Sequence, residues 1–167
     1  MLTAGTSFPV ANPDRVIHDG ETVQVGSAIM TAHLTAGHTR GCTTWTTTVR
    51  DGGRRYNVVF VGSASVLPMY KLIDRPGVRA TYPGIEQDYE KTFQVFRSLR
   101  CDVFLGAHGS FYSLMDKRGV MEKKPSQNPF IDPWGYQAYI LKAEAEFQKE
   151  LAAERDRAPV AAPSPTK

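Results

Sequence analysis

Two histidines in this chain stand where small neighbours let a ring come close to a ligand. His38 lies in the turn Gly37-His38-Thr39 between two strand-like runs, and His108 lies in Gly106-Ala107-His108-Gly109, just past a short apolar run. Glycine permits tight turns and close backbone approach, and a neutral imidazole offers a lone pair to a metal. Metal-ligand chemistry is therefore the reading these positions suggest. On residue type alone, a turn histidine is more often a hydrogen-bonded surface group than a ligand, and a strand-end histidine is equally a helix cap or core residue. His18, beside Asp19-Gly20, and His33, inside a strand pattern, read as structural. The chain has four histidines in all, and none is arranged as His-x-His or His-Glu-x-x-His. Local spacing thus does not assemble the roughly three protein ligands a catalytic zinc needs.

The segment Gly62-Ser63-Ala64-Ser65 follows an apolar strand and places two hydroxyls in one loop, where they could meet a carboxylate or a water. Loops of this composition most often only turn the chain. No base is paired with either serine and there is no Gly-x-Ser-x-Gly elbow, which argues against a serine nucleophile. Cys42 and Cys101 are the only cysteines. They are too few for a disulfide framework and are not spaced as a zinc knuckle, so they read as plain, partly buried thiols.

The elements that must position these residues are visible as periodic runs. Residues 15–18, 21–25 and 28–33 read as short strands divided by Asp19-Gly20 and Gly26-Ser27 turns. Residues 43–50 and 55–61 read as a hairpin around Asp51-Gly52-Gly53. Ile85, Tyr89, Phe93, Phe96 and Leu99 recur at helical spacing and predict an amphipathic helix over 88–99 that packs on the sheet. A short buried strand over 101–106 then delivers His108 beyond its C-terminal end, the side on which open α/β sheets bind ligands. Asp132 as N-cap and Pro133 in the first turn start a last helix with Tyr136, Ile140, Ala143, Phe147 and Leu151 on one face. The expected organisation is an irregular segment over 1–13, one folded unit over 14–157 and a disordered Pro/Ala-rich tail over 158–167.

Bulk properties narrow the function classes. With 167 residues, 41% of them hydrophobic, the chain suits one core. A net charge of +3 is interleaved with acidic residues, which indicates neither a nucleic-acid arm nor a membrane patch. The first residues lack the basic and apolar regions of a signal peptide, and no long apolar run occurs; as written, the chain is expected to be cytoplasmic.

Four blocks in order resemble one family. The segment 32–45, with His33, Thr35, Gly37, His38, Thr39 and Gly41, resembles the His-x-Thr-Pro-Gly-His-Thr-x-Gly segment of the metallo-β-lactamase superfamily, with Ala36 at the usual proline. In the block 61–65, Ser63 stands where most of the superfamily carries a bridging aspartate, which resembles subclass 3 of class B. Segments 101–111 and 128–136 resemble the closing blocks of that subclass. The resemblance implies an α/β (α+β) architecture: half of an αββα sandwich, one mixed sheet with helices on one face. It implies a two-zinc hydrolase of the β-lactam amide, in which zinc lowers the pKa of bound water from about 15.7 to roughly 7. His38 would serve the first zinc and His108 the second, Ser63 would orient a zinc-bound water, and Ser65 would meet the substrate carboxylate. The cysteine matching Cys101 pairs in some members with one in the final helix, which here has none.

The family's His-x-His-x-Asp-His block precedes the matched region and has no counterpart in residues 1–14. The expectation is thus the C-terminal half of such an enzyme, inactive as this chain alone, with no complete catalytic set and an incomplete zinc site. The half would expose an apolar sheet face, which invites self-association; a homodimer would bring together two copies of His38 and His108. The family is typically periplasmic or secreted. Another hydrolase of the same fold (a lactonase or thioesterase), a non-catalytic binding module and a pseudogene fragment stand as alternatives.

Overall fold

The expected meander and hairpin form, and their turns explain the register. Strands β1 (Thr22–Val25), β2 (Ala28–Leu34), β3 (Thr43–Asp51) and β4 (Arg54–Val61) pair antiparallel in succession, and β5 (Val103–Gly106) joins β4 in parallel. This gives one mixed sheet of five strands in the order β1-β2-β3-β4-β5 in the computed structural model, which describes residues 12–157. Asp51 pairs with Arg54 across Gly52 and Gly53. Their φ angles of 54° and 80° meet the left-handed requirement of a two-residue hairpin loop. The tail 158–167 and all but the last two residues of the segment 1–13 lie outside the described residues.

Residues 15–18 are not a strand. Their backbone groups are taken up locally: Glu21 N–H donates to the His18 carbonyl at 3.1 Å, and His18 N–H donates to the Glu21 carboxylate at 3.0 Å. Val16 remains 65% exposed, so the short apolar pair has no face to bury.

Helix α1 (Ile85–Ser98) starts at the first residue of the apolar repeat, three residues before the expected range, and α3 (Pro133–Asp156) starts where expected. Asp132 caps α3 by accepting from Gly135 N–H at 2.8 Å, satisfying one of the free donors of the first turn. Every residue of the expected apolar stripe of α3 is buried, from Tyr136 to Leu151. This stripe meets Ile85, Tyr89, Phe93 and Phe96 of α1, and Val59, Val61 and Phe104 from one face of the sheet. Tyr89 and Phe93 lie 5.1 Å and 5.7 Å from the Phe147 ring, centroid to centroid, within the range where aromatic pairs add to simple burial.

The pleat sends the alternate residues to the opposite face. Val58, Phe60 and Leu105 line a groove there with Tyr56, Val49 and Ile131, and Val49 is 42% exposed. The sheet therefore has apolar side chains on both faces, with α1 and α3 on one of them.

A 3-10 turn (Gly109–Tyr112) and helix α2 (Leu114–Lys123) were not anticipated. Their sequence has no apolar stripe, and the buried residue of α2 is Lys117. Its ammonium lies 2.8 Å from Asp132 Oδ2, out of line for a hydrogen bond but in place as an ion pair. A lysine in α2 thus ties that helix to the cap of α3. Ser113 ahead of Asp116, with Lys123 in the last turn, is the weak end signal from which α2 could have been read.

Candidate functional site

Strands β2, β4 and β5 run in the same direction, so their C-terminal ends share one edge of the sheet. The loop carrying His38 leaves β2, the loop carrying Ser63 and Ser65 leaves β4, and His108 follows β5 by two residues. All four residues singled out from the sequence therefore emerge at the same rim. Hydrogen bonds tie His38 to the Ser65 loop and Ser63 to Ser65.

The His38 loop is held by hydroxyls. Thr92 Oγ1 donates to the Ala36 carbonyl at 2.6 Å, Tyr82 Oη to that of Gly37 at 3.3 Å, and Tyr70 Oη to that of His38 at 2.6 Å. Underneath, Gly37 rests on the Tyr89 ring with φ at 139°, and a Cβ there would lie 2.8 Å from a ring carbon. Only glycine gives both the backbone angle and the contact. Arg40 covers the Tyr82 ring at 4.9 Å.

Thr35 Oγ1 and Thr44 Oγ1 form a buried pair at 3.0 Å at the base of the loop, and Gly62 N–H donates to the same Thr44 oxygen at 3.3 Å. The β2 and β4 loops are thereby joined through β3. Gly62 must be small, because a Cβ would sit 2.6 Å from the Thr43 carbonyl oxygen.

His38 Nδ1 lies 2.9 Å from the Ser65 carbonyl oxygen. A carbonyl can only accept, so Nδ1 carries a proton, and in the neutral ring Nε2 then keeps the lone pair, the arrangement found behind metal-bound histidines. His108 is exposed at the N-terminus of the 3-10 turn. Its backbone carbonyl accepts from Phe111 N–H at 3.0 Å, and its ring meets that of Phe111 edge-on at 5.1 Å. Ser63 is buried at 6% exposure, and its Oγ accepts from Ser65 N–H at 3.3 Å. The Ser63 hydroxyl proton stays available to a second partner.

His33 is structural, as its strand position suggested: Nε2 pairs with Thr46 Oγ1 at 2.8 Å, and burial lowers its pKa against a smaller opposing effect from Asp19. Both cysteines are unpaired. Burial pushes the Cys42 thiol above its ordinary value, and Cys101 up to about 12. Tyr70, Tyr82, Tyr89 and Thr92 are the residues sequence reasoning missed. Tyr89 and Thr92 share a helix with core residues, and nothing in the pattern marks their hydroxyls as facing the loop.

Among the described residues no three His, Cys, Asp or Glu side chains converge as a metal-binding group. The described residues by themselves do not supply the roughly three protein ligands of a catalytic zinc.

No family model matches the sequence. Solved structures do. The FEZ-1 metallo-β-lactamase from Legionella gormanii superposes with a TM-score of 0.84 and 43% identity, covering 90% of this chain and 55% of that chain. BJP-1, a subclass B3 metallo-β-lactamase of Bradyrhizobium japonicum, gives 0.82 and 35%, covering 92% and 56%. LRA-12, a class B3 di-zinc metallo-β-lactamase from an Alaskan soil metagenome, gives 0.74 and 27%, covering 89% and 54%. The described structure matches one half of the metallo-β-lactamase fold of these enzymes. The chain spans a little over half the length of these metallo-β-lactamases. No helix among the described residues is long and apolar enough to cross a membrane.

Proposed function

We propose that this chain supplies the C-terminal half of a zinc-dependent β-lactam hydrolase and is inactive without the complementary half. The observation carrying this reading is the shared rim of β2, β4 and β5, with His38 held so that Nε2 is free, in a chain 43% identical to FEZ-1 over most of its length. His38 would give one imidazole to one metal and His108 one to a second. Ser63, with its free proton, would orient a water, and Ser65 would meet the carboxylate of a β-lactam.

The groove along Val58, Phe60 and Leu105 would seat the complementary half; in its absence the same face would drive self-association, read by size-exclusion chromatography. The decisive assay is nitrocefin turnover with added zinc. The chain alone should give none. Mixing it with a polypeptide spanning the part of FEZ-1 that this chain does not match should give zinc-dependent turnover, lost in His38→Ala. Turnover by the chain alone, or its survival in His38→Ala, would refute the proposal.

A further inference from the structure

We propose that Tyr89 is a positioning residue that sets the tautomer of His38 through the carbonyl of Ser65. Tyr89 touches no reacting group; it acts on an oxygen that His38 also uses. Its Oη donates to the Ser65 carbonyl at 2.7 Å, and His38 Nδ1 donates to the same oxygen at 2.9 Å. A carbonyl oxygen has two lone pairs, so both donors are accommodated. The phenol fixes the direction of that peptide, and the peptide fixes which imidazole nitrogen carries the proton. Burial pushes the Tyr89 phenol well above its ordinary value, so it remains a donor at neutral pH.

The same side chain also supports the loop from below. The Tyr89 ring lies against Gly37, one residue before His38, and is stacked in the core with Phe93 and Phe147. The ring and the hydroxyl therefore control different things. The ring sets where the loop sits; the hydroxyl sets which nitrogen of His38 faces outward with a lone pair. Without the hydroxyl, the Ser65 peptide can turn toward water, and His38 Nδ1 loses its fixed acceptor.

The inference uses the reading of His38 as a metal ligand only for its purpose, and its test needs neither zinc nor β-lactam. Nitrogen-15 imidazole spectra, taken on the full chain at a pH above the imidazole titration, report the tautomer of His38 directly. In the wild-type chain His38 should be protonated at Nδ1. In Tyr89→Phe, which keeps the ring, the ratio of Nδ1–H to Nε2–H should fall about fivefold, the equivalent of one net hydrogen bond.

Tyr82→Phe is the control, because it removes a hydroxyl from the same loop at the Gly37 carbonyl without touching Ser65. It should leave the ratio unchanged. An unchanged ratio in Tyr89→Phe, or an equal change in both variants, would overturn the proposal. A wild-type measurement decides the matter even if the variant does not fold: the Tyr89 hydroxyl proton and the His38 Nδ1 proton, aimed at one oxygen, should show a mutual Overhauser effect. Its absence when both protons are observed would also overturn the proposal.

Discussion

Replacing Asp132 by alanine should destabilise the chain by about 3–5 kcal/mol, most of it through Lys117. Two roles meet in this carboxylate. One oxygen caps α3 at 2.8 Å from Gly135 N–H, worth about 1 kcal/mol. The other lies 2.8 Å from the ammonium of Lys117, whose side chain is only 9% exposed against 30% for Asp132. Stranding a buried charge costs about 3–5 kcal/mol, and the partial exposure of Asp132 puts the expected coupling at the lower end, about 2–4 kcal/mol. Asp132→Asn keeps the cap and should lose only the coupling. In a Lys117→Met background Asp132→Ala should cost about 1 kcal/mol, the cap alone. Urea denaturation followed by circular dichroism measures all four corners of the cycle. An equal cost for Asp132→Ala with and without Lys117 would refute the argument. The same pair sets an acid limit. Burial alone would raise the Asp132 carboxyl, but Lys117 and Gly135 N–H outweigh it and hold it below the ordinary 3.8. The stability from this shift is therefore present above pH 3.8 and is lost as pH falls through the lower folded value. Lys117→Met should shrink that loss.

Three further outcomes are expected. Gly37→Ala, with φ at 139° and a Cβ 2.8 Å from the Tyr89 ring, should cost more than about 2 kcal/mol and shift the His38 ring resonances, checked by denaturation and NMR. Glu154→Ala should cost about 2–4 kcal/mol, because the buried carboxylate accepts from Leu72 N–H at 3.0 Å and Ile73 N–H at 3.3 Å. Glu154→Gln, which keeps an acceptor, should cost less than half as much in the same melts. With its pKa near 12, Cys101 should react with a disulfide reagent at pH 8 at least about tenfold more slowly than an unfolded thiol; equal rates in native buffer and in urea would contradict the burial.

Much of the fold could be read from local pattern because its causes are local. Strand-like runs with a Gly26-Ser27 turn and a Gly52-Gly53 turn produced β2, β3 and β4, and a helical apolar repeat with an Asp-Pro start produced α3. Residues 15–18 misled because an apolar pair resembles a strand whether or not an edge is available to it. Helix α2 escaped because the residue that anchors it is a lysine, and burial of a lysine depends on a carboxylate fifteen positions away.

The candidate site divides along the same line. Residue types and spacing singled out His38, His108, Ser63 and Ser65 as candidates, and four family-like blocks in order pointed to the fold that the solved structures share. Sequence by itself determined which groups could act, because chemistry and turn geometry are carried by residue type. Only the tertiary structure decided that β2, β4 and β5 end on one edge, that the Ser65 carbonyl takes the proton-bearing nitrogen of His38, and that Tyr89 shares that oxygen. Those contacts join residues 24 to 27 positions apart. Their geometry comes from strand pairing and core packing, which no local pattern encodes.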